Sequence, residues 1–239
     1  MARPYHLRFA ASCEDRAAAF RLRFLVFNLE LGKGLESAYR DGLDTDQFDS
    51  TCDHLIVEHR ATGQVVGTYR VQTGKTAARG LGFYSAREFD LSPYESLRGQ
   101  LVELGRAAIH KDHRSFEVLT LLWRGIALYA TERGGRYLIG CCSLTSQNQA
   151  EAVALYRSLD KFLVGPEMRT SPHVNFGFSI DVDTEGANAR SPKLLRAYLS
   201  IGAEICGPPA IDREFKTIDF LTFLDLHKLS GPARARFLL

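Results

Sequence analysis

The stretch that most restricts the fold is Leu101 to Gly134, LVELGRAAIHKDHRSFEVLTLLWRGIALYATERG. A segment of strand composition, carrying a Glu and an Arg, runs into a short basic loop, and a long amphipathic segment follows at once. Leu119, Leu122 and Ile126 recur at helical spacing beside Trp123, which reads as a core-facing stripe. Gly134-Gly135 stops the helix. A strand that feeds directly into a helix belongs to a layered arrangement, with the helix packed on the sheet that holds the strand.

The flanking segments extend this pattern. Tyr5 to Ala10 reads as a first strand, and Glu14 to Leu31 as a helix with Ser12 as N-cap and Gly32 and Gly34 at its end. Gly32 to Ser50 is polar and acidic. His54–His59 and Gln64–Val71 form a hairpin across Ala61-Thr-Gly63. Thr73 to Ser96 reads as loop with short structure, and Gln100–Ile109 as the strand of the opening segment. Arg136–Ser143 is a further buried strand, Asn148–Lys161 a helix, Val174–Val182 a strand, Pro192–Cys206 a helix and Lys216–Asp225 a strand. The expectation is an α/β (α+β) domain with a mixed sheet flanked by helices. Residues 1–165 form its core, and 166–239 an extension of the same domain that completes the sheet or caps the site.

Composition removes several classes of function. Net charge is only +2, which gives no electrostatic footprint for nucleic acid. The five cysteines are odd in number and lack Cys-x-x-Cys spacing, so reduced thiols are expected, with no disulfide scaffold and no metal site. The N-terminus has no apolar signal region, and no window approaches the ~18 apolar residues of a membrane span. A cytoplasmic protein is expected, with peripheral contact at the inner face of the membrane left open.

A strand whose edge is free where it splays from its neighbour can hold an extended pantetheine arm as an added strand, and a helix N-terminus beyond it can meet a phosphate. Acyl transfer from a thioester further needs donors aimed at the carbonyl oxygen and an amine able to lose its proton. Residues 101–133 offer that architecture, and they resemble the central strand and helix of the GNAT acyltransferase superfamily. Members that use coenzyme A carry Arg/Gln-x-x-Gly-x-Gly/Ala at the loop. Here the segment reads Arg114-Ser-Phe-Glu117-Val-Leu119, with both glycine positions filled. A carboxylate opposes a pyrophosphate, and side chains block close backbone approach. The resemblance therefore implies acyl carrier protein as donor, with no bound cofactor and acyl-coenzyme A the poorer fit.

Two groups of the superfamily lack these glycines, the acyl-homoserine lactone synthases and the ornithine-lipid N-acyltransferases with the long-chain N-acyl amino acid synthases. Arg23-x-x-x-Phe27, Asp46-x-x-Asp49, Gly67-Thr-Tyr-Arg70 and Glu103-x-x-Arg106 resemble the lactone synthases, although Lys33 stands where those usually carry Trp. Glu103-Leu-Gly-Arg106, Leu121-Leu-Trp-Arg-Gly-Ile-Ala127, Tyr198-Leu-x-x-Gly-Ala203 and Asp212-Arg-Glu-Phe215 look more like the ornithine-lipid enzymes. The resemblance implies transfer of a long acyl chain, with or without a 3-hydroxyl, to the amine of an amino acid, ornithine first.

Site roles follow from the same resemblance. Glu103 is expected as base or amine ligand, with a structural ion pair to Arg106 or Arg70 the alternative, and Tyr156 as general acid, with a cleft-lining or core Tyr the alternative. Arg23, Asp46, Asp49, Arg70 and Arg106 are expected around the acceptor, or as a structural set of ion pairs. Ala107, Ala108, Ile109, Arg114 and Ser115 are expected along the pantetheine. His110, Lys111 and Arg114 form a basic patch that would steer an acidic carrier protein. An acetyl-coenzyme A enzyme and a non-catalytic adaptor for carrier protein or lipid are the rival readings.

Overall fold

The structure is a computed structural model that describes residues 3–187 and 190–237. In chain order, strand β1 (Tyr5–Phe9) leads to helix α1 (Cys13–Phe24), then strands β2 (Asp53–His59) and β3 (Gln64–Thr73), helix α2 (Gly74–Arg79), strand β4 (Leu101–Ile109), helix α3 (Phe116–Glu132) and strand β5 (Tyr137–Leu144). Helices α4 (Gln149–Ser158) and α5 (Lys193–Ser200) precede three strands, β6 (Glu204–Ile205), β7 (Ala210–Asp212) and β8 (Thr217–Asp225), and α6 (Gly231–Phe237) closes the order. The strands form one sheet ordered β1-β2-β3-β4-β5-β8-β6, with β7 also on β8. Only β4 and β5 run parallel, as expected for two strands joined by the α3 crossover.

Local chemistry sets the ends of these elements. Ser12 and Asp15 form a reciprocal capping box at the start of α1. The expected helix to Leu31 changes character at Leu25, where six residues wind as a π-helix. That wider turn places Val26, Phe27 and Asn28 together on the buried side. Gly32 and Gly34 then reverse the chain at φ +62° and +97°. Ser115 caps α3 through Val118 N–H. The buried stripe Val118, Leu122, Ile126 packs on Val57, Val66 and Val71 of β2 and β3. Each such side chain contributes about 1.5–3 kcal/mol of burial free energy.

Two expectations near the C-terminus differ from the structure. Val174–Val182 forms no strand; the third strand of that region is instead the short β7, which pairs with β8 through Ala210–Asp219 to Asp212–Thr217. The helix expected over Pro192–Cys206 stops at Ser200, because Gly202 turns left-handed at φ +103° and Glu204–Ile205 joins β8 as β6. Pairing with an open strand edge outweighs helix propensity there.

The sheet has one structural break, and it makes the site. The β4–β5 ladder covers only Leu101–Tyr137 to Glu103–Ile139. Beyond it β5 pairs with β8 alone, through Leu144–Ile218, while β4 continues on β3. The two parallel strands therefore splay. At the fork Gly140 lies against the Leu104 carbonyl, so closely that a Cβ would collide with that oxygen. Gly140→Ala is expected to lower the unfolding free energy by about 1–3 kcal/mol, read from urea midpoints.

Candidate active site

A cavity of about 640 Å³ opens at the splay. Leu104–Ala107 of β4 and Cys141–Ser143 of β5 form its floor, and Val26, Phe27, Leu31, Phe116 and Leu119 give it an apolar wall. Its polar side carries Lys33, Arg70, Glu103, Arg106 and Asp219. The volume lies within the ~300–1,000 Å³ usual for small-molecule sites.

One wall is fixed by an ionic network. Opposite Tyr69, β4 carries the extra pair Arg106-Ala107, a β-bulge in which Arg106 takes φ +51°. Arg106 reaches Asp46 at 2.8 Å and stacks on Phe215 at 4.3 Å. Arg23 binds Asp44 through Nε and Asp49 through both terminal nitrogens, each at 2.8 Å. Arg70 bridges Asp46 and Asp49. Burial alone would push the Asp49 and Asp46 carboxyls up, but the guanidiniums of Arg23, Arg70 and Arg106 outweigh it and hold both below the ordinary carboxylate range.

These placements divide the expected residues. Arg70 and Arg106 line the cavity, while Arg23, Asp46 and Asp49 stand outside its lining and hold the wall. Arg23 and Arg70 are each bound to aspartates, which is the structural alternative for this set. Glu103 lines the cavity, yet both its oxygens are occupied: Ser85 N–H and hydroxyl donate to Oε1, and Gln72 Nε2 and Tyr84 N–H donate to Oε2. Four donors occupy the carboxylate, so Glu103 holds the 84–85 loop against β4. Tyr156, expected as an acid, lies outside the cavity lining and packs at the edge of the cluster under α4. Ala107, Ile109, Arg114 and Ser115 line the cavity. Ala108, expected beside them, points to the opposite face and is buried against the α1 side, as strand alternation requires. His110 and Lys111 stand in the loop beyond the lining, with Lys111 exposed and Arg114 paired to Glu30.

Three groups escaped the sequence reading. Lys33 is 8% exposed, lies over the rings of Phe27 and Phe215, and has no carboxylate within 4.0 Å among the described residues. Burial pulls its ammonium below the usual lysine range. Glu88 and Asp219 are the other two; together with Cys141 they place one ligand atom each within 4.8 Å of the others, the sole such set of potential metal ligands among the described residues. Positions 88, 141 and 219 share no spacing that a sequence could reveal. Burial, followed by the like charges of Asp219 and Asp212, pushes the Glu88 carboxyl well up, and burial and Asp212 push Asp219 up. Burial also lifts the Cys142 thiol to about 12 and Cys141 well above the ordinary range, so neither supplies a thiolate nucleophile.

A parallel pair splayed around a bulged strand, with an apolar cleft in the fork, defines a GNAT-type acyltransferase. Residues 22–124 match the acetyltransferase (GNAT) domain family. The protein is 32% identical to an L-ornithine N(alpha)-acyltransferase of Brucella abortus over 94% of this chain and 85% of that one. It is 32% identical to its counterpart in Agrobacterium fabrum over 94% of this chain and 82% of the other. The chain belongs to the same acyltransferase family as these relatives. Among solved structures, FeeM, an N-acyl amino acid synthase from uncultured soil microbes, superposes with a TM-score of 0.55 at 14% identity, covering 97% of both chains. The AHL synthase LasI superposes with a TM-score of 0.54 at 12% identity over 98% of this chain and 94% of its own. Both share the fold.

The carboxylates of the wall contribute stability that is complete above the unfolded carboxyl range near pH ~4 and is lost as the pH falls below it, because their folded values are depressed. Asp49→Ala, which leaves Arg23 paired to Asp44 alone with both terminal nitrogens unpartnered in the interior, is expected to cost about 3–5 kcal/mol. Denaturant melts between pH 3 and 7 should show the variant both less stable and less sensitive to acid.

Proposed function

We propose that this protein transfers a long acyl chain, with or without a 3-hydroxyl, from an acyl carrier protein thioester to the α-amine of ornithine. The observation that carries the reading is the cavity at the splay, apolar on one wall and charged on the other. The activity named for the family's L-ornithine N(alpha)-acyltransferases supports ornithine as acceptor. The acyl chain would lie against Val26, Phe27, Leu31, Phe116 and Leu119, and the pantetheine would run along the free edge of β4 past Ala107 and Ile109.

The donor is argued from the loop before α3. Phe116 and Glu117 occupy the first turn, where a pyrophosphate would need close backbone approach, and Glu117 adds an opposing charge. A single pantetheine phosphate avoids that conflict; of His110, Lys111 and Arg114 in the basic loop, Lys111 is the exposed cation for an acidic carrier, since Arg114 is paired to Glu30. Fold alone fits either donor, since the neighbour BjaI is described as a coenzyme A-dependent synthase. Leu31 and Phe116 are exposed at the mouth, and Leu25 and Leu29 on the π-helix beside it, which suits peripheral contact with a membrane that receives the product.

Attack is direct. The amine nitrogen bonds to the acyl carbon as the carbon–sulfur bond breaks, and the thiol leaves with the proton that the amine sheds through water in the open cleft. The raised Cys141 and Cys142 thiols argue against an acyl-enzyme. Lys33, which lines the cavity and has no carboxylate within 4.0 Å among the described residues, would take the acceptor's carboxylate.

Purified protein given acyl carrier protein thioesters and ornithine should release thiol and form an amide of the corresponding mass. No amide across donors and chain lengths would sink the reading, and equal use of acyl-coenzyme A would sink its donor half. Lys33→Met is expected to raise the ornithine KM by on the order of 10–100-fold with a smaller change in kcat, as for loss of one charge-assisted contact.

A further inference from the structure

Asp219 stands at the polar end of the cavity with Glu88 behind it, and among the described residues no cation is bonded to either; Lys33 faces Asp219 and Arg87 flanks Glu88 from beyond 4.0 Å. Each is more than nine-tenths buried, at 1% and 4% exposure. Asp219 lines the cavity, and its Oδ1 has no hydrogen-bond partner. Glu88 lies within 4.8 Å of it, and its Oε1 is likewise unpartnered. Asp212 adds a third carboxylate nearby, one oxygen taken by Phe215 N–H and the other by the Tyr84 hydroxyl. Neither Glu88 nor Asp219 has a cation within 4.0 Å among the described residues; Arg87, next to Glu88 in sequence, turns out to Glu214. Two buried carboxyl groups, Asp219 on the cavity wall and Glu88 behind it, are costly unless a cation pairs with them.

We propose that Glu88 and Asp219 form the subsite that takes the side-chain ammonium of the acceptor, so that the δ-nitrogen is held as an ion pair and the α-amine is the one acylated. The proposal rests on ornithine being the acceptor. An ammonium has three N–H donors; Asp219, on the cavity wall, is the acceptor that meets it, and Glu88, within 4.8 Å behind, adds a second buried carboxyl to hold the cation. Burial first, and then the like charges of Asp219 and Asp212 on Glu88 and of Asp212 on Asp219, push both carboxyls up, which a cation beside them reverses. A nitrogen locked in that pair has no lone pair to attack with. The subsite also explains why the cleft would reject neutral amino acids: they would leave both carboxyls buried without a partner.

The test compares ornithine with norvaline, which keeps the carbon chain and lacks the terminal amine, under one acyl donor. Wild-type kcat/KM should favour ornithine by on the order of 10²–10⁴. Asp219→Asn and Glu88→Gln, close to isosteric, should each cut that ratio at least tenfold, mostly through the ornithine KM. Folded variants that keep the wild-type ratio would overturn the proposal. Wild-type protein that acylates norvaline as fast as ornithine would overturn it too, needs no variant, and leaves the acyltransferase reading intact. If wild-type protein makes neither amide, the ornithine reading fails, and calorimetry decides the subsite: ornithine binding that norvaline does not share and Asp219→Asn abolishes supports it, and its absence overturns it. Stoichiometric Zn²⁺ retained by wild-type protein and lost in Cys141→Ser would also overturn it, assigning the three side chains to a metal.

Discussion

The bulge at Arg106 is the constraint on which the cleft depends. It lets one residue of β4 leave the ladder in a left-handed conformation and turn its guanidinium toward Asp44 and Asp46 while the strand keeps its place on β3. A left-handed arginine costs on the order of 1–2 kcal/mol, and the stack on Phe215 and the pairing to Asp46 offset that. With Arg106 fixed, the acidic loop 44–49 is tied to α1 through Arg23 and to β3 through Arg70, so three separate elements share one buried network. The wall of the cavity is thus set before any substrate enters, which is what positioning catalysis asks of a scaffold.

That network also changes how charge in the site should be understood. Arginines next to a cleft invite assignment as ligands for a carboxylate, yet Arg23 and Arg70 already have their anions. The groups left over, Lys33 and the Glu88–Asp219 pair, make no ion pair within 4.0 Å among the described residues, although Lys33 and Asp219 face each other across the site. Buried charge that is satisfied within the protein speaks for architecture, and buried charge that is not speaks for a ligand.

Much of the framework could be read from sequence. The strand, loop and helix of residues 101–133 were legible because the hydrophobic period changes sharply between Ile109 and Phe116, and the hairpin because Gly63 marks its turn. Elements that depend on distant edges were not. Val174–Val182 has strand composition and no edge to join, while Ala210–Asp212 is too short to stand out and pairs with β8 all the same. In the site, the roles of Arg70 and Arg106 were visible as positions but not as partners. Ala108 was misplaced because three consecutive strand residues were given one role, whereas alternation turns Ala107 and Ile109 to the cleft and Ala108 away from it. Glu103 looked like a base because sequence shows the carboxylate and hides the four donors around it. Lys33, Glu88 and Asp219 come from a turn, a loop and the last long strand, and only folding brings them to one cavity.

The pairing of β5 with β8 carries a consequence for how the enzyme is made. The floor of the cleft is built on β5, and β5 has no partner beyond the fork until Thr217–Asp225 arrives, more than seventy residues later in the chain. During synthesis the first half can assemble β1 to β4 with α1 and α3, but the fork has one arm unsupported, and Asp219 is not yet present. The fork, and with it the floor of the cleft and Asp219, is therefore completed only when β8 has been made.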